Sequence, residues 1–358
     1  KSLTGYPGEL DEVKCDSLEE QVGIWKRELA AEVLESAYNG ERIDLTGNCS
    51  PCGNGFKAGC KCKVPAGSGL TELALEIDRP ELYQAYLGSS LTEFSQKYAG
   101  KCIGICSSII LEHGVPDRLY IGNQFCHLLF PERKLLFEII EKAVAEQVKI
   151  TLVFSYIREY MLDYVTELLD EINQWCEEKR QTVEVVVNDW GMASLVKKGR
   201  RNLIPSLGIL LNKRKKDPRI SFKKGEQKWF EMNSLNAGFY RNFLEREYGI
   251  QRFEWESCGY EQQIPPGKNS LHIPFYQTNT SQYCPLGAVC ETGERGRQKF
   301  AKKCPGYCAE YAFLYPEHLH MIGRYNSLFG IDMRILKEEE ILEKYIQNGV
   351  DRVVIRTW

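Results

Sequence analysis

From about residue 117 onward, short apolar runs alternate with helical patterns at a regular pitch, and few folds accommodate that rhythm. Arg118-Leu-Tyr-Ile-Gly122, Ile150-Thr-Leu-Val-Phe154 and Val183-Glu-Val-Val-Val187 have the length and β-branched content of strands. Arg133 to Gln147 and Tyr156 to Trp175 carry apolar residues at helical spacing, and Gly191 to Lys198 reads as a short helix. Ile204 to Leu211, Phe253 to Glu256, Leu271 to Phe275 and Asp351 to Ile355 continue the strands, the last preceded by a helix over Lys337 to Gln347. Strands separated by helices imply a parallel sheet with the helices outside, because parallel neighbours need long crossovers. These runs supply seven strands. An eighth, Leu70 to Ile77, would close a (β/α)8 TIM-like barrel; an open doubly wound sheet is the alternative.

Residues 1–69 do not share the rhythm. A helix is readable from Ser17 to Tyr38, followed by a Gly- and Cys-rich stretch without periodicity. The expected organisation is therefore a Cys-rich metal-binding extension over 1–69 and a barrel over 70–358. A net charge of -3 gives no general attraction to nucleic acid or anionic membrane. No run approaches the ~18 apolar residues of a membrane span, and the first residues lack an apolar signal core, which leads to the expectation of a cytoplasmic protein.

The 358 residues include 14 cysteines against 5 methionines and 5 histidines. Disulfide scaffolds are usually short chains without a sufficient core, so here the spacing points to thiolate metal ligands. Cys49, Cys52, Cys60 and Cys62 form a C-x2-C-x7-C-x-C loop rich in glycine, able to wrap a [4Fe–4S] cluster or a zinc ion. A second group, Cys284, Cys290, Cys304 and Cys308, follows a late strand. Cys126 lies just past the strand ending at Gly122, on the rim where barrel enzymes gather their chemistry.

The run Asp117 to Cys126, the segment Val185-Val-Val-Asn-Asp-Trp-Gly191, the strand Ile204 to Asn212 and Cys304-x3-Cys308 together resemble the peptidase U32 family. The nearest likeness is to its iron–sulfur members, which work as a pair in oxygen-independent ubiquinone hydroxylation. The resemblance implies a (β/α)8-like barrel whose rim [4Fe–4S] cluster is held by Cys126, Cys304, Cys308 and either Cys290 or Cys284, with spacing favouring Cys290. It also implies prephenate as the oxygen donor and a related U32 subunit as partner. The Cys-rich extension and the longer segment before Cys284 depart from that pattern, leaving the substrate open. No protease constellation is evident, because none of the five histidines has a Ser or Asp partner at motif spacing.

Asn188 and Asp189 emerge at the end of a strand, as substrate-holding groups or, for Asp189, a helix N-cap. Glu254 and Glu256 read as acid–base groups or, more simply, as solvent-facing charges. The basic stretch from Lys197 to Lys228, with its Lys213 to Lys216 run, would raise the potential beside the rim and could meet an anionic substrate or RNA. Cys102 and Cys106 read as buried thiols, a redox pair or further ligands. The expected function is an iron–sulfur redox enzyme acting on a small organic molecule, with the extension's second cluster as electron relay. A non-catalytic electron-transfer or assembly subunit and an RNA-modifying enzyme are the alternatives.

Overall fold

A computed structural model describes residues 15–17, 70–99, 113–214, 216, 228–315 and 319–356. Numbered along the chain, its strands are β1 (Cys15–Ser17), β2 (Glu72–Ile77), β3 (Arg118–Gly122), β4 (Lys149–Val153), β5 (Val183–Val187) and β6 (Leu203–Leu207). They continue with β7 (Arg252–Glu256), β8 (Lys268–Ile273), β9 (Phe275–Thr280), β10 (Tyr311–Leu314), β11 (Met321–Arg324), β12 (Ser327–Ile331) and β13 (Arg352–Arg356). The principal helices are α1 (Pro80–Leu87), α2 (Leu91–Ala99), α3 (Arg133–Ala145), α4 (Leu162–Lys179), α5 (Trp190–Lys197), α6 (Lys228–Glu231), α7 (Gly238–Tyr248), α8 (Pro285–Thr292), α9 (Met333–Lys337) and α10 (Glu339–Gln347).

Strands β13-β2-β3-β4-β5-β6-β7-β8 close a parallel barrel, so the fold is the (β/α)8 type. All eight fall on runs readable in the sequence, and the stretch ending at Ile77 supplies the closing strand, paired with β13 so that Arg352 sits beside Glu72. β6 is shorter than the run Ile204 to Leu211 suggests. At Gly208 the chain turns, its carbonyl accepting from Leu211 and Asn212. Ser17, where a helix was expected to begin, lies instead in β1; the rest of that helix and the Cys49 to Cys62 loop lie outside the described residues, as do Cys102 and Cys106.

The outward residues of the strands, among them Leu73, Leu75, Ile121, Leu152, Val185, Trp255 and Val353, join the helices in one apolar core. The inward face is largely charged. Arg352 meets Glu72 at 2.5 Å and Glu184 at 2.6 Å, and Arg118 also reaches Glu72 at 3.2 Å. One layer of Ala74, Tyr120, Val153, Val186 and Val354 interrupts the charges. Above it, His272 lies between Glu76 (3.0 Å) and Glu254 (2.9 Å), and Arg356 joins Glu76 (2.9 Å) to Glu256 (2.7 Å). This corrects two expectations. Glu254 and Glu256 are fully buried rather than solvent-facing, and His272 has carboxylate partners on strands too distant in sequence for any motif to show.

Between β8 and β13 the chain inserts an antiparallel sheet of order β1-β10-β11-β12-β9. It starts where β8 ends, across the cis Ile273–Pro274 peptide, and therefore stands on the C-terminal rim of the barrel. A second apolar cluster, Phe125, Leu129, Ala312, Ile322, Tyr325 and Phe329, fastens it to the turn after β3. The segment containing Cys15 contributes the edge strand, Cys15 pairing with Phe313.

The buried ion pairs set how this fold responds to mutation and acid. Arg352→Ala would remove the closest counter-ion that Glu72 and Glu184 share, leaving them Arg118 at 3.2 and 3.5 Å, an expected loss of up to about 3–5 kcal/mol in denaturant unfolding. Removal of the exposed Lys134–Glu138 pair on α3 should change stability by less than about 1 kcal/mol. Burial alone would raise the carboxyls of Glu184 and Glu256. The neighbouring cations outweigh it, Arg352 holding Glu184 and Lys216 with Arg356 holding Glu256 down at about 2. A depressed folded-state value means that the stabilisation is complete above the ordinary carboxylate range and is lost as pH falls toward 2. Unfolding free energy measured across pH should therefore hold near neutrality and decline steeply below about pH 4; a flat profile down to pH 2 would contradict the assignment.

Candidate thiol centre at the barrel rim

Cys126 is placed by the turn that leaves β3. Gly122 has φ +119, and a Cβ there would meet the Val153 carbonyl oxygen at 2.3 Å and the Phe130 ring at 2.9 Å, so only glycine fits. Asn123 then folds the turn: its Oδ1 accepts from the backbone N–H groups of Phe125 (2.8 Å) and Cys126 (2.9 Å), while its Nδ2 donates to the Asp78 carbonyl. Cys126 and Cys308 both pack against the cluster that includes Tyr325 and Phe329.

Cys284 caps the N-terminus of α8. Its Sγ accepts from the N–H of Gly287 at 3.3 Å and its thiol donates to the Tyr325 carbonyl at 3.1 Å. A sulfur at a helix N-terminus is favoured in its anionic, ligating form. Cys304 is exposed, with the Gly306 N–H directed at its Sγ at 3.4 Å. Arg324 Nε donates to the Cys308 carbonyl at 3.2 Å, and the Tyr325 hydroxyl donates to Asp78 at 2.7 Å, linking the thiol segment to the end of β2.

The thiols of Cys126, Cys284, Cys304 and Cys308 lie within electrostatic reach of one another. Burial pushes Cys126 well above the usual thiol range, and Cys308, Cys284 and Cys304 push the same way. Burial takes Cys308 to about 12, with Arg324 opposing and Cys284 and Cys304 adding to it. Burial also raises Cys284, with Cys304 and then Cys290 as thiol neighbours. Among the described residues, no three His, Cys, Asp or Glu side chains converge closely enough to grip a single metal ion. One ion needs sulfurs at about 2.3 Å from a common centre. A four-iron cluster takes each thiolate on a separate iron, so its ligands lie farther apart than those of a single ion.

The other predicted residues are placed differently. Asp189 is the N-cap of α5: its Oδ1 accepts from Met192 N at 2.8 Å and its Oδ2 from Ile157 N at 2.7 Å. Asn188 is buried, donating to the Phe154 carbonyl at 2.8 Å and accepting from Leu210 N at 3.0 Å. The basic run after β6 is not uniformly solvated. Arg214 and Lys216 side chains are 3% and 9% exposed, and Lys216 reaches Glu256 at 2.6 Å and Gln277 at 2.9 Å inside the barrel mouth. Burial pushes the Lys216 amine down to about 8 despite Glu256. Cys176 and Cys258 are fully buried and apart from the rim group. Sequence reasoning missed Asp78, Arg324 and Tyr325, because residues that brace a centre from three separate segments share no spacing with its thiols.

No family model matches the chain, and no curated protein matches it. Among solved structures, one similar to it is the U32 peptidase Mk0906, at 9% identity and a TM-score of 0.33, covering 82% of this chain and 95% of that one. Another is the spore cortex-lytic enzyme SleL of Bacillus megaterium QM B1551, at 12% identity and a TM-score of 0.33, covering 93% of this chain and 80% of that one.

Proposed function

We propose that the chain is an iron–sulfur redox enzyme whose cluster is held at the barrel rim by Cys126, Cys304, Cys308 and Cys284. The observation that carries this reading is the gathering of thiols from separate stretches of sequence around Tyr325. Cys284 rather than Cys290 takes the fourth position, because Cys284 neighbours the other three thiols. Bound there, the cluster would supply one-electron transfer for oxygen-independent hydroxylation or a related modification of a small organic substrate.

The chain's own contribution is the setting. The Gly287 and Gly306 N–H groups point at Cys284 and Cys304, and hydrogen bonds to cluster sulfurs tune potential. The apolar cluster of Phe125, Leu129 and Phe329 excludes water from the barrel side. Cys49, Cys52, Cys60 and Cys62 hold the second centre, [4Fe–4S] or zinc, and as a cluster it would relay electrons inward. Thiolate ligands kept reduced fit a cytoplasmic setting.

A second reading is an electron-transfer or assembly subunit paired with a related chain. It is favoured by the engagement of both Asn188 and Asp189 with backbone groups, and by the aromatic face of Trp190, Phe239 and Phe243, where Phe239 is 79% exposed. RNA modification is the weakest reading, since the burial of Arg214 and Lys216 removes them from phosphate contact.

Anaerobic purification followed by iron, sulfide and zinc analysis tests the proposal. Wild type should carry at least about four iron and four sulfide per chain. Cys308→Ala should lose the rim iron with helicity unchanged, whereas Cys176→Ala should keep it; wild type without iron overturns the proposal. Gly122→Ala should lower both iron occupancy and stability, the latter by about 1–3 kcal/mol, because the turn carrying Cys126 must move. Cys60→Ala should keep the rim iron and slow its reduction, a stopped-flow absorbance measurement; simultaneous loss of both centres would contradict the relay.

A further inference from the structure

The rim thiols are not equally sheltered. Cys126, Cys284 and Cys308 are partly buried, while Cys304 is exposed, so the centre comes nearest to solvent on the Cys304 side. The residues leading to Cys304 are unlike the rest of the chain. Between residues 295 and 303 the sequence carries five cations and no carboxylate, within a protein of net charge -3. Lys299, Phe300, Lys302 and Lys303 are exposed. Arg297 and Lys299 are partly offset by Glu294 and Glu291. Lys302 and Lys303 make no ion pair with a carboxylate among the described residues.

Aromatic rings lie under these charges. Lys302 sits 5.5 Å from the Tyr160 ring, and Tyr160 packs edge-on against Phe300 at 5.3 Å. Arg158 lies over the rings of Tyr156, Tyr283 and Phe300 at 5.0, 5.6 and 5.8 Å, and it too has no carboxylate partner among the described residues. Phe300 is 45% exposed and Tyr160 40%. Exposed aromatics and arginine form the energetic centre of protein interfaces, and a surrounding ring of one charge steers a partner of the opposite charge.

We infer that this face, Arg158 and Tyr160 with Phe300, Lys302 and Lys303, docks an acidic electron-carrier protein that delivers electrons to the rim centre. The inference rests on the redox reading proposed above and names the source of its electrons. In each encounter the carrier would give up one electron and be oxidised, and a cluster held by Cys126, Cys284, Cys304 and Cys308 would accept that electron and be reduced. No bond is made or broken. Redox encounters use small interfaces, under about 1,200 Å² in total, and rely on charge for speed. A mainly basic face, with the exposed Glu159 as an opposing charge and a few aromatic anchors, lies beside the most exposed ligand and meets that need.

The test uses the full chain, purified without oxygen, and a plant-type ferredoxin as the acidic probe, with affinity measured at about 20 and about 200 mM salt. Ferredoxin should bind at low salt and lose at least tenfold in affinity at the higher salt. The double variant Lys302→Glu/Lys303→Glu should weaken low-salt binding more than tenfold, Phe300→Ser should speed dissociation, and Lys344→Glu on α10, the helix that precedes β13, should bind as wild type. If the double reversal loses helicity, Lys302→Gln/Lys303→Gln replaces it and should weaken binding in the same direction. Carbodiimide coupling should join ferredoxin to Lys302 or Lys303. Equal affinity of wild type and variant, binding insensitive to salt, or tighter capture of single-stranded RNA by the same lysines would overturn the inference. Iron is assayed in parallel. Full iron with no ferredoxin affinity overturns this inference alone, and wild type without iron overturns the redox reading together with it.

Discussion

Everything in this molecule is arranged around the neutralisation of charge inside a closed barrel. Parallel barrels are commonly filled by layers of branched aliphatic side chains. Here the interior instead holds Arg352 between Glu72 and Glu184, His272 between Glu76 and Glu254, and Arg356 between Glu76 and Glu256. A buried charge is tolerated only with its partner in place, so β2, β3, β5, β7, β8 and β13 are tied to one another in register and orientation. Apolar packing outside the barrel supplies the driving force, and ionic pairing inside supplies the uniqueness. The rim inherits that rigidity, because the turn after β3 and the inserted sheet both stand on strands fixed in this way.

The sequence revealed the barrel and hid its contents. Val183 to Val187 and Ile150 to Val153 are apolar enough to announce buried strands. Arg252-Phe-Glu-Trp-Glu256 alternates charged and apolar residues, and Glu72-Leu-Ala-Leu-Glu-Ile77 and Arg352-Val-Val-Ile-Arg356 carry a charge at every fourth position, the pattern of a strand with one wet face. Nothing local separates a charged face that meets water from one that meets a complementary set of charges. The partners of Glu72 lie as far as 280 positions away, and only barrel closure brings them together. For the same reason the Lys213 to Lys216 run read as surface, although two of its side chains fill the mouth.

The proposed thiol centre was legible in part. Cys126 could be placed on the rim from the end of its strand alone, and Cys304 and Cys308 declared themselves by spacing. The proposal of Cys284 over Cys290 rests on three-dimensional facts: Cys284 caps α8 and donates to Tyr325, in a β11–β12 turn that no periodicity marked. The inserted sheet also went unread, since β10, β11 and β12 are only four, four and five residues long, and its edge is supplied from residues 15–17, nearly three hundred positions earlier.

The order in which charge arrives has a consequence for biosynthesis. β2 carries Glu72 and Glu76 and is made early, whereas the guanidiniums that answer them, Arg352 and Arg356, arrive on β13. Until β13 emerges, Glu72 has only Arg118 and Lys149, and Glu76 only His272, to offset it, so the nascent barrel has reason to stay open with these groups in water. Closure is then a single late event in which several ion pairs form at once, and the strand pairs flanking the seam wait for the same moment. A ribosome-bound chain of this kind would present helices and an open, unclosed sheet to its surroundings for most of synthesis, a long exposure of unpaired strand edges.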